Sequence, residues 1–209
     1  VIMQEGVEVI GNMAFSNCEN LKNVVFPNSL LKIGDMGFYQ CYSLTQVELP
    51  DKIEEIKSYC FHQCINLKSL KLPSNLKAIR YSALNSIKIS EIKIPETVEQ
   101  IEDYAFSGCS NLESIDLIGN SKYIYENGML MSKEKDKILF ILDKYMKSIT
   151  TFAIPEGITS FNIAVTSYTN INKLIIPSTL VGIGEEIFPR TIAEVEVTEG
   201  NNKFVSENS

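Results

Sequence analysis

Tryptophan is absent from these 209 residues, and histidine occurs once, at His62. A chain so poor in imidazole has little from which to build a proton relay or a histidine-based metal site. No apolar run approaches the roughly 18 residues that a membrane-crossing helix needs, so no membrane insertion is expected of this stretch. Excess basic charge is missing as well: 19 Lys and Arg stand against 26 Asp and Glu, a net charge of -7. Nucleic-acid binders displace counterions with clustered Lys and Arg, which excludes nucleic acid as an expected partner. The G-x-S-x-G, H-E-x-x-H and glycine-rich phosphate-loop motifs do not occur. The pairs Glu54-Glu55 and Glu185-Glu186 fall in return loops and read as solubilising surface. No catalytic residue, metal ligand or cofactor is therefore assigned, and the chain is not expected to be an enzyme.

Proline is scarce too, with seven in all, yet its placement is regular. Pro27, Pro50, Pro73, Pro95, Pro155 and Pro177 each follow an apolar residue in a near-identical phrase about 23 residues long. A period of this size marks a solenoid. Phe15, Cys18, Leu21, Val24, Phe26, Pro27, Leu30 and Ile33 recur as Phe38, Cys41, Leu44, Val47, Leu49, Pro50, Ile53 and Ile56. They recur again as Phe61, Cys64, Leu67, Leu70, Leu72, Pro73, Leu76 and Ile79. The next turn is one residue shorter and aligns as Leu84, Ser86, Ile89, Ile92, Ile94, Pro95, Val98 and Ile101. The pattern returns in Phe106, Cys109, Leu112, Ile115 and Leu117.

The L-x-x-L-x-L segment of each turn, such as Leu67 to Leu72, ends with the period-two alternation of a half-buried strand. Each repeat thus contributes one short parallel strand, and the fold class is a mainly β repeat solenoid. Proline ends the strand because it fixes φ and lacks an amide donor. The phenylalanines are expected to stack as an interior spine. Gly11, Gly34 and Gly184 share a position that Lys57, Arg80 and Glu102 also occupy, so no left-handed backbone is demanded there.

The run Ile33-Gly34, Gly37-Phe38, Cys41, Leu44, Val47, Leu49-Pro50 resembles the BspA-like leucine-rich repeats, with their I-G-x-x-A-F-x-x-C-x-x-L-x-x-I-x-L-P signature. The resemblance covers nearly the whole chain. It implies a bacterial or protozoan surface protein, on the cell surface or secreted, that works in adhesion with a protein or glycan on another cell or matrix as partner. A structural spacer or assembly segment without a ligand of its own is the alternative.

The repeats cover residues 1–118 and 151–198 of what reads as a single domain, 1–209. Between them, residues 119–150 form an island of short apolar runs, read as an inserted β-hairpin or meander and a second place where recognition could reside. A second island starts over residues 199–209, where Asn201 to Asn208 copies Asn120 to Asn127. Both ends fall inside a repeat, so the chain is expected to be a fragment of a longer protein.

Cys18, Cys41, Cys64 and Cys109 occupy one repeat position and read as a ladder of free buried thiols that donate to corner carbonyls. Cys60, His62 and Cys64 look like metal ligands only in isolation: Cys60 replaces Ala14 and Ala105, and His62 aligns with Ser16, Tyr39 and Ser107, pointing to solvent. The ligand-facing candidates are the outward strand positions: Asn23, Gln46, Ser69, Glu91 and Ser114 in one row and Val25, Glu48, Lys71, Lys93 and Asp116 in the other. Tyr39, Tyr42, Tyr59 and Tyr81 crowd a flank as a competing aromatic patch, with Tyr42 and Tyr59 expected to be partly buried.

Overall fold

A full coil carries two short strands, because it turns twice, once at the proline and once at the phenylalanine corner. The first two coils keep only the second strand and have isolated bridges at the first. In the computed structural model, which describes residues 1–205, the chain forms two compact units, Val1–Lys122 and a second that begins at Tyr123. The first holds β1 (Val9–Ile10), β2 (Lys32–Ile33), β3 (Gln46–Glu48), β4 (Glu55–Ile56), β5 (Ser69–Lys71), β6 (Ala78–Ile79), β7 (Glu91–Lys93), β8 (Gln100–Ile101) and β9 (Ser114–Asp116). All its pairings are parallel. β3 pairs with β5 and β7 with β9 at the L-x-L segments, while β1 with β2, and β6 with both β4 and β8, pair at the isoleucine after the proline. The expected strand is thus joined by a second, two-residue one.

Register steps of one repeat place like on like: Val47 lies beside Leu70 and Ile92 beside Ile115. Inside, Leu44 and Leu67 are fully buried, as are Phe38, Phe61 and Phe106. The rings stack as a spine, Phe15 on Phe38 at 5.1 Å and Phe38 on Phe61 at 5.5 Å, both nearly parallel.

At the phenylalanine corner the coils are joined by a backbone ladder that the sequence does not announce. The N–H groups of Met36, Phe38 and Gln40 donate to the carbonyls of Ser58, Cys60 and His62 in the next coil, at 2.8 to 2.9 Å. Aiming alternate amides outward needs a left-handed residue on each side of the ring: Met13 and Asn17, Met36 and Gln40, Tyr59 and Gln63, Ser82 and Ser86. Non-glycine residues resist that conformation, and the inter-coil hydrogen bonds offset its cost.

The left-handed row also fixes the alignment of the shortened repeat. Ser86 shares its backbone geometry with Gln63 and not with the thiol position, and the fully buried Ile87 fills the place of Cys64. The missing residue therefore falls between Ile87 and Ile89, after the corner. At this point Leu44, Leu67 and Leu112 each close a turn onto Cys41, Cys64 and Cys109, respectively.

The second unit opens with an antiparallel meander of β10 (Tyr123–Glu126), β11 (Met129–Ser132) and β12 (Ile138–Ile141). A helix follows, α1 (Asp143–Ser148), then β13 (Thr151–Ala153), β14 (Ser160–Phe161), β15 (Lys173–Ile176), β16 (Gly182–Ile183) and β17 (Glu194–Val197), again paired in parallel. The helix adds to the expected meander; at six residues it is too short to show a helical period in sequence. Asn170 holds its end by donating to the carbonyls of Met146, at 2.8 Å, and Ile149. Met129, Met131, Ile138, Ile141 and Met146 share one core with Phe152, Phe161, Leu174 and Leu180. The meander therefore packs as a lid on the repeats after it.

The copied asparagines do the same work twice. Asn120 donates to the carbonyls of Pro95 and Val98, and Asn201 to those of Pro177 and Leu180. Residues 206–209, the end of the second island, lie outside the described residues.

Candidate ligand groove on the strand face

Nine of the ten outward candidates are exposed: Asn23, Val25, Gln46, Glu48, Ser69, Lys71, Glu91, Lys93 and Ser114. Asp116 is half-buried because its Oδ1 accepts the Ile118 N–H at 3.2 Å. Strand register sets Gln46 beside Ser69 and Glu48 beside Lys71, with Glu91 beside Ser114 and Lys93 beside Asp116. Asn23 bridges to Gln46. Two rows on one face thus hold as the spacing requires.

The two pairs do not, however, form one sheet. β3 bonds to β5 and β7 to β9, but no ladder joins β5 to β7. The Leu49 N–H donates to the Lys71 carbonyl and the Ile94 N–H to the Asp116 carbonyl, while no corresponding bond ties Leu72 to Lys93 among the described residues. The coils remain joined before the split, by the Lys88 N–H to the Leu67 carbonyl, and after it, by Thr97 Oγ1 to the Ser74 carbonyl. One residue is missing between Ile87 and Ile89, so β7 starts without the tight turn that seats β3, β5 and β9.

The split opens a groove of about 360 Å³. Leu70, Leu72, Ile94 and the exposed Ile118 give it apolar walls, and Lys71, Glu91, Lys93 and Asp116 border it. Four of the ten candidates thus surround one concavity and the other six do not. Leu70, read as core, is half-buried here because its strand faces the opening. Lys71 also pairs with Glu48, and that hydrogen bond raises its pKa.

Elsewhere the polar groups serve the coil. Cys41, Cys64 and Cys109 donate to the carbonyls of Phe15, Phe38 and Leu84 at 3.1 Å, and all five cysteines are free thiols. Cys18, expected to be buried like the other rungs, is only half-buried in the first coil. Burial raises the pKa of Cys60 and pushes Cys109 up to about 12, which keeps both protonated. Among the described residues no group of three or more His, Cys, Asp or Glu could hold a metal ion. Likewise, no helix among them is long and apolar enough to cross a membrane. His62 is half-buried instead of facing solvent: its ring stacks on Tyr39 at 5.2 Å, and Nδ1 is buried without a hydrogen-bond partner. Tyr42 and Tyr59 are half-buried, as expected.

Stacked parallel coils with a leucine or isoleucine ahead of each L-x-L strand, a thiol ladder and a phenylalanine spine define a leucine-rich repeat protein. The chain belongs to the BspA type leucine-rich repeat family, whose repeat region matches in six copies over residues 1–113, 32–136 and 85–194. No curated protein matches the sequence. Among solved structures it is similar to a leucine-rich cell surface protein from Faecalibacterium prausnitzii, with 23% identity and a TM-score of 0.71 over 92% of this chain and 60% of the other. A leucine-rich repeat protein from Bacteroides ovatus shares 21% identity, with a TM-score of 0.65 over 93% of this chain and 65% of that one. The pneumococcal vaccine antigen PcpA shares 17%, with a TM-score of 0.74 over 96% of this chain and 62% of that one. The chain thus spans less than two thirds of the length of each.

Proposed function

We propose that this chain is a non-catalytic binding and adhesion module displayed at a cell surface, and that its strand face holds a protein partner. The observation that carries this reading is the groove between β5 and β7, where an apolar floor is bordered by two lysines and two carboxylates. Interfaces combine an apolar centre with a polar rim in this way. Display at the surface is supported by family membership and by similarity to proteins described as a cell surface protein and a vaccine antigen.

The test is an array of matrix proteins and glycans probed with the chain and with a Lys71→Glu, Lys93→Glu variant. A protein ligand seated on this face is expected to bind the variant about tenfold or more weakly, since the reversed charges oppose the partner groups that complement the two lysines. Ligands bound equally by both variants would move the site elsewhere. Uniform silence would favour the spacer.

A further inference from the structure

A ridge of rings runs across neighbouring coils at the phenylalanine corner, away from the groove. Tyr39 stacks on His62 at 5.2 Å, His62 meets Tyr59 edge-on at 5.4 Å, and Tyr59 meets Tyr81, and Tyr81 meets Tyr104, in the same manner at 5.4 and 5.5 Å. Backbone bonds pin it, with the Tyr59 N–H donating to the Tyr81 carbonyl at 2.9 Å. The outer two rings are open to solvent, Tyr81 at 38% and Tyr104 at 45%.

The fold does not require aromatic residues here. Met13, Met36 and Ser82 adopt the same left-handed conformation as Tyr59 and Tyr104. Tyr81 shares its repeat position with Asn12, Asp35, Ser58 and Asp103. A bulky residue at positive φ is rare, and two tyrosines accept that conformation along this ridge.

Carboxylates flank the rings. Glu102 accepts the Tyr81 N–H at 2.8 Å, and the pKa of the Tyr81 phenol is raised by desolvation first and by the neighbouring tyrosines and Asp103 after it. Asp35 is exposed one coil from Tyr59 and accepts the Ser58 N–H. The nearby cations, Lys57 and Arg80, are engaged, Lys57 by Glu55 and Arg80 by Glu55 and Glu102. Aromatic faces beside carboxylates favour a cation, which gains from the ring quadrupole and the carboxylates together. The net charge of -7 adds long-range attraction of the same sign.

We propose that the Tyr59–Tyr81–Tyr104 ridge is a docking surface for a lysine- or arginine-rich segment of another protein. It is separate from the strand-face groove and stands or falls without it. Fluorescence anisotropy with a labelled oligo-arginine peptide tests the proposal. The intact chain is expected to bind, and a Tyr81→Ala, Tyr104→Ala variant to bind about tenfold more weakly. The Tyr81→Phe, Tyr104→Phe variant keeps the ring faces and is expected to retain affinity, and Asp103→Asn to lose part of it. Circular dichroism checks that each variant is folded. Equal binding to the alanine variant would reduce the interaction to diffuse charge and overturn the proposal. So would no binding of the peptide at all, or a neutral oligosaccharide that occupies the tyrosines in its stead.

Discussion

Leu67 and Leu70 are three residues apart in one coil and meet different surroundings. Leu67 is fully buried, while Leu70 faces the opening beside β7. Truncating Leu67 to alanine is expected to cost about 2 to 5 kcal/mol, as buried leucines do. Leu70→Ala should cost clearly less, and Lys71→Ala less than about 0.5 kcal/mol. Urea denaturation of the three variants checks the order. Had the groove been closed, the two leucines would be equal.

His62 supplies a pH signature. Burial lowers its pKa from the ordinary 6.5. Below about 6.5 the unfolded chain takes up a proton before the folded one does, so stability is full above that pH and declines as pH falls towards the folded value. The urea midpoint is expected to fall between pH 7.5 and 5.5, and His62→Gln to remove most of that slope. Glu55, held low by Lys57 and Arg80, and Asp51, held low by the backbone N–H and hydroxyl of Ser74, add their loss only in more acidic solution. The thiol ladder was legible because four cysteines share a repeat position. The burial of His62 was not, since it depends on the ring of Tyr39 in the coil before it.

Strands and turns form the next scale, and there the split between β5 and β7 is the informative feature. Restoring the full repeat by inserting an asparagine between Ile87 and Lys88 is expected to seat β7 against β5 and close the groove. Hydrogen exchange at the Leu72 amide reads this directly: fast in the parent, slowed in the insertion variant. An unchanged rate would mean that the shortened repeat is not the cause. In the meander, Asn127 and Gly128 make the β10–β11 turn with φ of 48° and 72°. A Cβ on Gly128 would lie 2.4 Å from that of Tyr145. Gly128→Ala is therefore expected to destabilise the second unit by more than about 1 kcal/mol, measured as a lower thermal midpoint. The short repeat was readable as a length. The position of its missing residue was not, because Ser86 resembles a shortened thiol position until the backbone conformation places it with Gln63.

For the whole molecule, the sequence reading of one domain over residues 1–209 remains our proposal. It expects a single cooperative unfolding transition for the chain. Two calorimetric transitions, one of them moved alone by Phe38→Ala, would replace it with two domains divided near residue 122. Each unit has its own spine of stacked rings, Phe15 to Phe61 in the first and Phe161 on Phe188 in the second.

The sequence alone determined the coil, its proline and phenylalanine corners, the thiol ladder and the two outward rows, because a repeat writes each local requirement several times at one spacing. Tertiary structure alone decided that the rows part between β5 and β7, that the meander shares a core with the repeats after it, and that the expected tyrosine patch reaches Tyr104 as one ridge. These features arise between coils, where the separation of two backbones or two rings depends on how successive turns settle on each other. No single turn encodes that distance.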